Sequence, residues 1–215
     1  MDLLEGAKQL SILVGIGVAL YGIDSWRREH SGKRRLELAE DALALFYEAA
    51  DAIKHIRHPA SFGSELSEIV QNDGETEAAF TARKNASIVF VRYQQHQEAF
   101  NKLHAMRYRF MAQIGKDSAK PFDELRSIVT SIQMSASWLA RLWPREHFRT
   151  DDQWESHRKL VEKYEAVFWD HFEDDDPINL RLSALVSDVE RICGAVIKGR
   201  GTLFGLLNAK FRRSS

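Results

Sequence analysis

Apolar residues recur every three or four positions along most of the chain, and nowhere at every second position for long, so the pattern predicts helices. Between Lys33 and Arg57, Leu36, Ala39, Leu43, Phe46, Ala50 and Ile53 form one seam. Leu38, Ala42, Leu45, Ala49, Ala52 and Ile56 form a second beside it, with Glu37, Glu40, Asp41, Glu48 and Asp51 on the remaining side. Two adjacent seams predict a helix that packs on more than one neighbour, as in a bundle. Pro59 stops it. Gly32 leaves open whether this helix continues from the segment before it.

The stretch from Pro59 to Glu75 is rich in Pro, Gly, Ser and acids and reads as a loop, with a helical turn at Glu65–Val70. A long helix is expected over Thr76–Ile114, closed by Gly115. The next starts near Ser118 with Pro121 in its first turn, and its seam is Phe122, Leu125, Val129, Ile132, Ala136, Leu139 and Trp143. Thr150 and Gln153 have capping-box spacing for a helix to Phe172, with Trp154, Leu160, Val161, Tyr164 and Phe168 on its buried side. An acidic turn, Glu173 to Asp176, precedes a last helix over Asn179–Ile197. The expected fold is all-α: an N-terminal transmembrane helix, then an antiparallel bundle of about five helices.

The transmembrane expectation rests on Leu10 to Ile23, fourteen residues without a charge. As a helix these span ~21 Å, short of a ~30 Å hydrocarbon core; Ala7 to Trp26 reaches twenty residues, with Lys8 able to snorkel and Trp26 suited to an interface. The alternative is a buried helix of a soluble core. Lys8 alone precedes the run, whereas Arg27, Arg28, Lys33, Arg34 and Arg35 follow it, which predicts an outside N-terminus and a cytoplasmic body. No basic n-region or A-x-A site marks a cleaved signal peptide. Gly15, Gly17, Ala19 and Gly22 lie within the run, and small residues let two such helices approach closely. The expected organisation is an anchor over 1–26, a cytosolic bundle over 27–197 and a basic amphipathic tail over 198–215. After Glu190 the chain has no acid, and Lys198, Arg200, Lys210, Arg212 and Arg213 surround Leu203, Phe204, Leu206, Leu207 and Phe211. Such a tail suits either an anionic lipid surface or a partner subunit.

Composition narrows the classes. With 30 Lys+Arg against 31 Asp+Glu the formal charge is −1, so no global field recruits nucleic acid. A single cysteine, Cys193, excludes an internal disulfide framework and reads as a buried apolar residue. No phosphate-binding loop, Gly-x-Ser-x-Gly elbow, His-Glu-x-x-His or Glu-x-x-His is present, and His55 and His58, with Asp51 one turn before His55, have helical metal spacing but lack the further ligand and support a metal site usually needs. Neither a metal nor another cofactor is expected. His96 and Arg107 interrupt the seam Val89, Tyr93, Phe100, Leu103, Phe110 and Ile114, with His104 one turn from Arg107. These three are buried polar candidates that need partners, Glu124 among the acids available to Arg107.

Arg141-Leu-Trp-Pro-Arg-Glu-His147 resembles the active-site motif of HEPN ribonucleases, helical proteins in which paired motifs cut RNA without metal. The resemblance implies an alternative function, a membrane-tethered ribonuclease with Arg141 for phosphate charge and His147 for proton transfer. Trp26-Arg-Arg-Glu-His30, Gly32-Lys-Arg-Arg-Leu-Glu-Leu-Ala-Glu40 and Leu103-His-Ala-Met-Arg-Tyr-Arg-Phe-Met111 resemble stretches of a group of bacterial single-span membrane proteins. That group has a helical cytosolic body and no assigned activity, so the resemblance implies topology alone. The leading expectation is a non-enzymatic, self-associating scaffold or effector on the cytoplasmic face of a bacterial inner membrane, one version being a pore-like defence effector. Its expected partners are the lipid bilayer, further copies of itself and another protein.

Overall fold

Helix α1 (Leu3–Arg57) runs 55 residues through Gly32 without a break, a rod about 80 Å long. The computed structural model describes residues 3–144 and 151–199, with side chains from Ile12 onward. After α1 come α2 (Glu77–Ala86), α3 (Ile88–Gln95), α4 (Gln97–Gln113), α5 (Lys120–Leu142), α6 (Asp151–Phe168) and α7 (Pro177–Ile197). Two short 3₁₀ turns, Gly63–Leu66 and Lys116–Ala119, join them, and no strand occurs among the described residues. The chain is an all-α bundle.

The transmembrane helix is not supported as expected: among the described residues no helix is long and apolar enough to cross a membrane. The uncharged run in α1, Leu10 to Ile23, is fourteen residues, ~21 Å of helix against a ~30 Å hydrocarbon core.

The carboxyl-terminal half of α1 is the centre of the bundle. Both of its seams are used: Leu38, Ala39, Ala42, Phe46, Ala49, Ala50, Ala52, Ile53 and Ile56 are buried, and Leu43 and Leu45 are partly so. Five buried alanines let neighbouring backbones approach, and α1 packs on α7, α4 and α3. Helix α5 is the second pillar. It buries Phe122, Leu125, Ile128, Ile132, Ala136 and Leu139, so Ile128 joins the predicted stripe while Val129 and Trp143 are only partly buried. Phe46, Phe110 and Phe122 meet as a ring cluster joining α1, α4 and α5.

The helix expected over Thr76–Ile114 is three helices. Thr76 caps the first, its Oγ1 accepting from the Ala79 amide. At Ser87 the hydroxyl donates back to the Arg83 carbonyl. At His96 the backbone leaves helical geometry (φ −105°, ψ 7°), where the imidazole meets His55 of α1. Hydrophobic spacing continues through both breaks, so periodicity alone did not reveal them.

The ends of α6 and α7 also differ from expectation. Helix α6 closes at Phe168, four residues early, and Phe172 adopts a left-handed φ of 56° with its amide donating to Asp170. Helix α7 starts two residues early, because the Asp176 carboxylate accepts from the Ile178 and Asn179 amides and Pro177 fits the first turn. Thr150 and the expected capping box lie outside the described residues.

Two contact pairs set direction. Arg57 meets Asp176 and Tyr47 meets Glu190, so α7 runs antiparallel to α1. The pairs on α5 and α6 advance in the same sense, Trp138 on Tyr164 and Trp143 on Phe168, so this pair departs from the antiparallel order expected of the bundle. The end of α7 therefore returns to the end of the bundle from which the leading half of α1 projects.

Candidate functional site

The leading half of α1 is the most unusual surface of the molecule. Ile12, Leu13, Val14, Ile16, Val18, Leu20, Tyr21, Ile23 and Trp26 are 51–69% exposed. They surround the helix, so no polar side faces water. Side chains added at Gly15, Gly17 or Gly22 would meet nothing within 4 Å, so all three glycines stand in open space. A helix apolar all round is normally covered, and contiguous exposed apolar surface of this kind marks an interaction site. Trp26 stacks on His30 at the end of the segment. Exposed cations follow: Arg28 pairs with Asp24 and Lys33 lies 3.9 Å from Glu37, while Arg27, Arg34 and Arg35 form no ion pair among the described residues.

The three buried polar candidates are not buried. His104 is exposed with its ring edge against Tyr108, and His96 and Arg107 are half-buried. Rotation of α4 carries them to the surface while Phe100, Leu103 and Phe110 take the core. Arg107 pairs in bidentate fashion with Asp123 at 3.0 and 3.1 Å, not with Glu124, which binds Arg181 instead. His104 and Arg107 line an open groove of about 620 Å³ between α4 and α5, with Tyr93, Phe100, Tyr108 and Arg126. The Arg107–Asp123 pair joins its two walls.

His96 instead forms half of a pair. His55 Nδ1 and His96 Nε2 are 2.9 Å apart, so one ring donates and the other accepts. Burial lowers the His55 pKa, and the charges of Arg92 and His96 lower it further. Nearby His58 accepts from the Ala60 amide and packs edge-on to Phe172. Among the described residues no group of three or more metal-ligating side chains occurs.

Two arginines that spacing did not single out are fully buried. Arg57 donates to both Asp176 oxygens and to the carbonyls of Ala166, Val167 and Trp169, tying the ends of α1 and α6 to the start of α7. Burial alone would raise the Asp176 pKa, but bonds from Arg57 and from the α7 amides hold it below the usual carboxylate range. Arg92 donates to the His55, His58 and Ala60 carbonyls and to both Glu65 oxygens. It thereby satisfies carbonyls at the end of α1 that have no helical partner. The hydrogen bond from Arg92 lowers the Glu65 pKa. These networks are structural latches. Their one visible signal was an arginine inside an apolar window, at Ile56-Arg57 and Val91-Arg92.

Arg141 is exposed and lies over the Trp138 ring at 5.9 Å. His147 lies outside the described residues, so the Arg141–His147 pair has no geometry here. Residues 200–215, which make up nearly all of the expected basic tail, lie outside them as well. Comparison with protein-family models, curated proteins and solved structures finds no match to this chain.

Proposed function

We propose that the protein is a membrane-attached helical scaffold. The leading segment of α1 inserts into a bilayer, and the bundle stays outside it to hold further copies or a partner protein. One observation carries the reading: nine large apolar side chains from Ile12 to Trp26 surround a helix and stay exposed among the described residues. In water this surface costs free energy at roughly 25 cal/mol per Å², and lipid removes that cost without a dedicated protein groove. The uncharged run is shorter than a typical hydrocarbon core. Local thinning and an interfacial Trp26 accommodate that mismatch.

Orientation follows from the cations after Trp26, which favour a cytoplasmic bundle and an outside N-terminus at a bacterial inner membrane. Self-association through Gly15, Gly17, Ala19 and Gly22 belongs to the same proposal, since close backbone approach is what drives helix pairing in lipid. The test is fractionation of bacteria expressing the full chain. The proposal expects the protein in the membrane pellet, resistant to alkaline carbonate and released by detergent. A carbonate-soluble or supernatant protein overturns it.

A further inference from the structure

Helices α4 and α5 meet near their junction and part beyond it. Phe110 packs on Phe122 and Arg107 bonds Asp123, so the two helices run antiparallel. Farther along, α4 packs mainly on α1, and α5 on α2, α6 and α7, which leaves the groove of about 620 Å³ between them. That volume lies within the roughly 300–1,000 Å³ of small-molecule sites. Both ends of the groove carry flat rings. Away from the junction, the break at His96 stacks Tyr93 on Phe100, their centroids 5.0 Å and their planes 20° apart. Near the junction Tyr108 is 63% exposed, and the Arg107 guanidinium, fixed by both Asp123 oxygens, lies over its ring at 5.4 Å.

Between the rings stand polar groups that the protein does not use. The side chains of Asn101, Arg126, Thr130 and Gln133 line the groove and make no hydrogen bond or ion pair among the described residues. The local charge is positive. Helices α4 and α5 hold six Lys and Arg, three on each, against three acids, Glu98, Asp123 and Glu124. Each acid already bonds a cation, Lys102, Arg107 and Arg181 in turn, so none neutralises Arg126.

We infer that the α4–α5 groove binds a nucleoside monophosphate, its planar base against the tyrosine rings and its phosphate on Arg126. Aromatic faces hold any base by stacking, and a guanidinium takes phosphate oxygens through charge-assisted hydrogen bonds. The amides of Asn101 and Gln133 with the Thr130 hydroxyl supply both donors and acceptors, as a base edge and a ribose require. A wholly apolar ligand would cover these polar groups without pairing them, and a simple anion would leave the rings unused. The inference concerns the bundle alone and does not depend on membrane attachment.

The experiment is equilibrium dialysis of the full chain in non-ionic detergent, with adenosine 5′-monophosphate as probe and adenosine and ribose 5-phosphate as its two halves. The monophosphate is expected to bind with a Kd below about 1 mM, and each half at least about fivefold more weakly. Tyr108→Ala and Arg126→Gln change exposed residues, and their melting is first shown to be native. Each is expected to weaken binding about tenfold. Arg141→Gln, on α5 but outside the groove, is expected to leave it unchanged. No binding at millimolar monophosphate overturns the inference, as does a loss in Arg141→Gln equal to that in Arg126→Gln. Binding of an oligoadenylate more than about tenfold tighter than the monophosphate also overturns it, in favour of an RNA strand.

Discussion

The guanidinium of Arg57 and the carboxylate of Asp176 meet at 2.8 Å with neither side chain exposed to solvent, 119 residues apart in sequence. This pair closes the end of the bundle opposite the apolar segment. Removing one partner leaves a buried, uncompensated charge, at a cost of about 3–5 kcal/mol. Asp176→Ala also removes the α7 cap, so it is expected to lie at the upper end of that range. Urea unfolding monitored by helix content checks this. A loss under about 1 kcal/mol would mean that the pair is hydrated in solution.

Acid should weaken the contact between α1 and the α3–α4 junction. His55 is held below its ordinary value of 6.5, first by burial, then by Arg92 and His96, with Glu65 opposing and His58 adding a small effect. A histidine with a depressed folded pKa contributes stability above 6.5, and that contribution is lost as pH falls through the lowered value. The urea midpoint is therefore expected to drop between about pH 7.5 and 5, and the drop to shrink in His96→Leu. Equal pH slopes in the two proteins would contradict the pairing.

Fold and attachment should separate under mutation. Ile128 is fully buried, and Ile128→Asn places an unpaired amide in the core, which is expected to unfold the bundle or cost more than about 3 kcal/mol. Ile16 is 51% exposed, and Ile16→Asn is expected to leave the melting temperature of the bundle unchanged while weakening membrane retention. Circular dichroism melts and membrane fractionation of the two variants provide the check. A bundle destabilised by Ile16→Asn would show that the segment folds back onto it.

These contrasts mark what could be read from the chain beforehand. The α5 stripe was legible because most of its buried side chains fall on one strong period-3.6 pattern, from Phe122 to Leu139. The break at His96 was not, because apolar spacing persists across it and the deviation answers a histidine 41 residues earlier. Arg107 illustrates the same limit: its seam position predicted burial, and a modest rotation of α4 with Asp123 opposite moved it to a groove wall. Arg57 and Asp176 read locally as a helix end and an acidic turn. Only the antiparallel return of α7 makes them a pair.

Burial raises the Cys193 thiol to about 11, so the reactive thiolate is scarce at neutral pH. The native protein is expected to resist a disulfide reagent at pH 8 and to react once unfolded in urea. Rapid labelling of the folded chain would place Cys193 outside the core.

Val18, in the middle of the apolar segment and 67% exposed, offers the most direct test of the central claim. An environment-sensitive fluorophore on V18C in the full chain, with Cys193 shielded by the core, reports what surrounds that position. The account predicts a blue shift on adding phosphatidylglycerol vesicles and quenching by nitroxides carried deep on the acyl chains. Emission that stays that of a water-exposed dye, unquenched by those lipids, would contradict it.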